Sequence, residues 1–214
     1  MKKRKRNSNR VKNIVLNHIN NNKKDYLILL IVFLIGIIIG VIFINNTSNE
    51  QKTEIETYIN TFISALEQNN TVDKGTLLKD SILKNMLLAI VLWFLGQAVT
   101  LIPLIYGVVA FRGFCLGYAV SSFIAIFGVG EGTTIGIISL LFQNILFIPA
   151  LLAISISGIK LYKSIMKDRR KENIKIEIYR HVFFSLIMLV VFIMSSFVEV
   201  YVSSNLLEIY VKYI

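Results

Sequence analysis

Cysteine occurs once, proline twice and histidine twice among the 214 residues. A lone Cys115 excludes an intramolecular disulfide and any cysteine-based metal centre. Its place inside an apolar run makes it a small packing residue rather than a reactive thiol. His18 and His181 lack carboxylates at ligand spacing, so no metal site is expected. Walker A and H-E-x-x-H motifs are absent, and the glycines around Glu131 follow no strand, which leaves a phosphate cradle unsupported. No nucleophile and base can be placed together. The chain therefore reads as a non-enzyme, with no catalytic residue, no metal ligand and no cofactor. Acids are also scarce, 13 against 23 Lys and Arg, and charged residues make up only 17%, where soluble domains carry about 25%.

What fills the chain instead is apolar sequence, at 55% hydrophobic residues and a mean hydropathy of +0.65. Eighteen of the 23 basic residues lie in residues 1–25, in residues 160–180, or at Arg112. Cationic loops resist translocation, so these stretches mark the cytoplasmic side. The net charge of +10 follows that side and lines no face with interleaved aromatics, which argues against nucleic acid. Anionic inner-leaflet lipid is the better counterpart, at roughly 1 kcal/mol per basic residue near the surface.

The resulting fold class is all-α, a polytopic membrane bundle of about five spans with its N-terminus inside and its C-terminus outside. A basic arm (1–25) precedes an uncleaved anchor (26–44), whose apolar run is too long for a signal peptide and lacks a cleavage site. Gly36 and Gly40 in it form a GxxxG pair that permits close helix contact in lipid. An extracytoplasmic segment (45–85) follows. Within it Thr53 and Glu56 read as a capping box, opening an amphipathic helix over 53–68. Further spans are expected at 86–109, kinked at Pro103, then at 113–127 after a turn at 110–112, and at 134–159 after the glycine-rich turn 128–132. A basic loop (160–180), a last span (181–202) and an extracytoplasmic tail (203–214) complete the chain. The 113–127 run is short, so it could instead pair with its successor as a re-entrant hairpin.

Two surfaces are candidates for binding a partner. Ile55, Tyr58, Ile59, Phe62, Ile63 and Leu66 recur at helical spacing and need a cover, because an isolated helix of this length is marginal in water. Gly96, Gly113 and Gly117 offer small-residue faces, which either pack within the chain or receive another protein's anchor. Polar groups at membrane depth are the remaining candidates, since they are costly there and often functional. Gln97, Gln143 and Asn144 qualify, and a transport pathway near Gln97 and Gln143 is the alternative reading to a scaffold.

The chain resembles the stage II sporulation protein M family in Lys84-Asn85-Met86-Leu87-Leu88-Ala89, Leu95-Gly96, Ile102-Pro103, Phe111-Arg112-Gly113-Phe114 and Leu116-Gly117-Tyr118. The resemblance covers nearly the whole chain. It implies a multi-pass protein of the mother-cell and septal membrane that acts in engulfment during endospore formation. It further implies a scaffold that recruits and holds stage II sporulation proteins D and P, two membrane-anchored peptidoglycan-degrading enzymes. Self-association of the chain is left open beside these partners.

Overall fold

In lipid an unbroken apolar run can satisfy its backbone only as a helix, and residues 26–44 lie within helix α1, Lys23–Asn45. The computed structural model describes residues 22–67, 73–98, 101–167 and 171–211, and among them it is all-helical. The side chains of residues 62, 65–67, 167 and 171–173 fall outside this description. So do most of the basic arm, residues 168–170 of the basic loop and the last three residues of the tail. Among the described residues three stretches are long and apolar enough to cross a membrane: Lys23–Asn45, Ile102–Met166 and Ile174–Val211.

After α1 come α2 (Asn49–Glu67), α3 (Lys74–Gln97), α4 (Ile102–Lys167) and α5 (Lys171–Val198), then a π-helical turn at Glu199–Ser203 and α6 (Ser204–Val211). Helix α4 is two arms, 102–127 and 129–167, joined at Gly128 with φ 78° and ψ 174°, a conformation only glycine adopts freely. The arms fold back on one another, because a Cβ on Gly132 would lie 2.3 Å from the Phe123 carbonyl. At 1.5 Å per residue they measure about 39 and 58 Å, each longer than a hydrocarbon core of about 30 Å.

The break between α3 and α4 departs from the expected boundaries. The helix that enters at Lys74 stops at Gln97, and the next begins at Ile102. No helix therefore runs through 86–109, and no turn occurs at 110–112. Pro103 explains the shift. As the second residue of α4 it sits where a backbone N–H has no intrahelical acceptor anyway, so it starts a helix rather than kinking one. Arg112 consequently moves from a turn to the middle of a helix.

Helix α2 also begins a turn earlier than expected. Thr53 is interior, donating its hydroxyl to the Asn49 carbonyl at 3.0 Å, and Ser48 takes the capping position, with the Gln51 N–H 3.4 Å from its Oγ. Ser48 and Gln51 are themselves an S-x-x-Q box one turn upstream of the Thr53–Glu56 pair.

Two seams hold the bundle together. Along the first, α1 runs parallel to the first arm of α4, with Phe33 backbone over Gly113 and Ile37 backbone over Gly117. Gly36 and Gly40 return the contact against Ala110, Phe114 and Tyr118. Only one stripe of α1 is buried, Leu29, Phe33, Gly36, Gly40 and Ile44. The rest of the helix shows apolar side chains outward, as a lipid-facing surface requires. Along the second seam α3 runs antiparallel to α5. Gly96 meets His181, Asn85 meets Phe192 to Ser196, and Ser81 meets Glu199. The second arm of α4 stands between the two seams, and every residue from Leu151 to Ile159 is buried.

Candidate functional site

This packing sets Arg112, a charged side chain, near the middle of the apolar run of α1. Gly113 beside it abuts the Phe33 carbonyl, and Phe33 lies two positions from the centre of the apolar run 26–44. That puts Arg112 within about 5 Å of mid-depth at 1.5 Å per residue. Its guanidinium carbon lies 4.4 Å from the centroid of the Phe147 ring. Phe147 is itself braced edge-on by Phe192, with ring centroids 5.0 Å apart. Around the cation is a partly open cleft of about 110 Å³, lined by Phe33, Arg112, Cys115, Leu116, Leu140, Gln143, Asn144 and Phe147.

The guanidinium is under-satisfied. Nε is buried with no hydrogen-bond partner, and no carboxylate among the described residues lies within ion-pair distance of it. The amides beside it are already engaged. Asn144 donates to the Leu140 carbonyl of its own helix at 2.7 Å. Gln143 donates to the Glu199 carboxylate at 2.7 Å, and the Ser81 hydroxyl donates to the same carboxylate oxygen. Glu199 exerts a field on Arg112, but its near contacts are Gln143 and Ser81. A cation at the centre of a spanning helix costs about 2.5–3.5 kcal/mol on insertion scales. One desolvated cation–π contact returns about 2 kcal/mol. The ring does not balance the charge.

Two further polar knots hold helices together and are satisfied. Asn85, expected near a span end, is buried and donates to the Ser196 hydroxyl at 2.8 Å and weakly to Ser195 at 3.4 Å. His181 is buried, with Nδ1 2.9 Å from the Ser157 hydroxyl and Nε2 3.3 Å from the Trp93 carbonyl. Among the described residues no group of His, Cys, Asp and Glu is arranged to hold a metal ion.

The expected partner surfaces are largely taken up by the chain itself. Gly113 and Gly117 receive α1, and Gly96 receives Gly158 and His181. Ile59 is buried, and Ile63 packs on a small cluster of Ile135, Leu207 and Val211 that joins α2 to α4 and α6. Ile55 is half-buried, and Tyr58 stands 77% exposed. The side chains of Phe62 and Leu66 lie outside the described residues.

The transport alternative loses its geometry. Gln97 is exposed where α3 ends, beside Gly96, which packs on Gly158. Gln143 is 15 residues away from Gly158 along the same arm, or about 22 Å. The cleft beside Gln143 is not lined by Gln97. The turn expected at 110–112 hides the depth of Arg112 from the sequence. The signal that places it is Ile102-Pro103, since a proline early in an apolar segment marks a helix start at least as readily as a kink.

No curated protein and no solved structure matches the chain. The family model described as stage II sporulation protein M does match, over residues 29–204. The match begins in α1, runs through α3, both arms of α4 and α5, and ends just past the π-helical turn, so it takes in both seams and the Arg112 cleft. Covering well over half of the chain, it shows that the protein belongs to the stage II sporulation protein M family.

Proposed function

We propose that this sporulation-related membrane protein is a non-enzymatic scaffold of the septal membrane, which holds peptidoglycan-degrading enzymes such as stage II sporulation proteins D and P in place during engulfment. In this reading the chain crosses the bilayer five times: α1, α3, each arm of α4, and α5. Residue 23 and the ends of α4 and α5 at residues 167 and 171 face the cytoplasm, while α2, the Gly128 turn and α6 lie outside. The alternation follows from the helix directions. The Asp25–Lys163 ion pair at 2.5 Å joins the cytoplasmic ends of α1 and α4, and Lys74 donates to Asn205 at the opposite end.

The observation that carries the reading is the small platform outside the bundle. Helix α2 packs on the hairpin and α6 through Ile63, with Ile59 buried beside it and Tyr58 left 77% exposed. An extracytoplasmic enzyme on a membrane anchor would meet this platform first. The test is affinity purification of the tagged chain from sporulating cells, with immunodetection of the two named enzymes. The wild-type chain retains both. Tyr58→Asp reaches the membrane at normal levels and retains less than half of either. Recovery of neither enzyme with the wild-type chain sinks the scaffold reading.

A further inference from the structure

We infer that the Arg112 cleft is a docking site for the transmembrane helix of a partner that carries an aspartate or glutamate at the middle of its span. This deepens the scaffold reading and rests on it, since it says how an anchored partner is recognised inside the bilayer.

Depth selects the ligand class. Arg112 sits near the bilayer centre, level with Phe33. Lipid phosphates lie at the edge of a core about 30 Å thick, some 15 Å away, beyond the reach of an arginine side chain. An anion that meets this guanidinium must be carried into the hydrocarbon on another helix. The chain's own nearby acid, Glu199, accepts hydrogen bonds from Gln143 and Ser81 instead.

The cleft supplies the rest of the recognition. A volume of about 110 Å³ has room for one short side chain. Arg112 lines the cleft with its guanidinium over Phe147, and no carboxylate among the described residues pairs with it, so a carboxylate entering the cleft meets an unmatched cation. Phe33, Leu116 and Leu140 form an apolar rim suited to a helix. An alanine or leucine at the docking position leaves the cation unmatched, and the discrimination comes from that penalty.

The test uses the full chain reconstituted in lipid bilayers with synthetic spanning peptides of leucine and alanine, each with one cysteine near its centre. One peptide carries a central aspartate, one a central asparagine and one a central leucine. Cys115 lines the cleft and is the only native cysteine, so disulfide formation at Cys115 reads out docking. The aspartate peptide is expected to cross-link about tenfold more than the leucine peptide, the size of a good intramembrane polar contact. Arg112→Gln removes that preference and Arg112→Lys keeps most of it. Equal cross-linking of all three peptides, or a preference that survives Arg112→Gln, overturns the inference and leaves water as the occupant of the cleft. The peptide arm needs no sporulation enzyme. A preserved peptide preference with no enzyme recovered from cells therefore sinks the scaffold reading alone, while enzyme recovery unchanged by Arg112→Gln sinks the docking site alone.

Discussion

The parallel seam between α1 and the first arm of α4 yields the sharpest stability prediction. A Cβ on Gly117 would lie 2.2 Å from the Ile37 carbonyl, and one on Gly36 would lie 2.1 Å from the Ala110 carbonyl, where ordinary contact begins near 3.4 Å. Both obstacles are backbone, so no rotamer change relieves them. The helices must part by about 1.2 Å, and a gap of 0.5–1 Å already forfeits a quarter to a half of each dispersion contact. In lipid, where no hydrophobic term drives helices together, such packing is a main source of adhesion. Gly117→Ala should therefore destabilise the bundle by about 2–3 kcal/mol, in the upper range for overpacking. Gly36→Ala should do the same. Because one separation relieves both clashes, the double substitution should cost well under the sum, with a coupling of at least about 1 kcal/mol. Gly107 and Gly130 have nothing within 4 Å of an added Cβ, and alanine there should stabilise by up to about 1 kcal/mol through helix propensity. Unfolding in mixed detergent micelles, followed by reaction of half-buried Cys115 with a thiol-specific dye, measures all five variants. If Gly117→Ala behaves like Gly130→Ala, or if the seam pair is additive, the close-packed seam is wrong.

Three other outcomes follow from single sites. Gly128→Ala should cost at least about 1–2 kcal/mol despite the open space around it, because the penalty lies in the backbone conformation; Gly130→Ala is its control in the same unfolding assay. Asn85→Ala should cost about 1–2 kcal/mol by removing the interhelical bond to Ser196, and Ser196→Ala on top of it should add little. Asp73 caps α3 through the Gly75 N–H and the Thr76 hydroxyl, and those bonds hold its carboxyl below the usual aspartate range. A depressed folded value means the cap's contribution is present above the ordinary aspartate pKa and fades as pH falls through the lowered one. Amide protection factors at Gly75 and Thr76, after correction for intrinsic exchange, should fall on acidification and become pH-insensitive in Asp73→Asn.

The legible parts of this fold were those set by local pattern. A 19-residue apolar run and its GxxxG pair specify α1 and the face it turns inward. The spacing of Gly113 and Gly117 likewise identified a close-contact face, and the packing shows that the contact is the chain's own α1. What was not legible depended on which of two local rules prevailed. Pro103 satisfies both a kink and a helix start, and the choice moved the turn by about three helical turns' worth of chain, at 3.6 residues per turn. Thr53–Glu56 and Ser48–Gln51 are both capping boxes, and the upstream one is used. The polar knots were hidden for a different reason. Asn85, Ser196, Gln143 and Glu199 are far apart in sequence, and only tertiary packing brings their partners together.

Moving the turn also changes what the basic residues mean. Counted at a loop, Arg112 is one more marker of the cytoplasmic face, redundant beside the clusters in 1–25 and 160–180. Placed within the helix 102–127 it no longer reports orientation, and the two clusters suffice without it. Its cost then needs a different explanation. Structural anchoring would put the cation at a span end, where it could reach water, and interhelical adhesion is already supplied by the polar contacts of Asn85 and His181. A charge kept at mid-depth with one aromatic contact and an open cleft is poorly suited to either task. It is well suited to discriminating among helices by what they carry at the same depth, because an unpaired charge in hydrocarbon makes every mismatched partner unfavourable and one matched partner favourable.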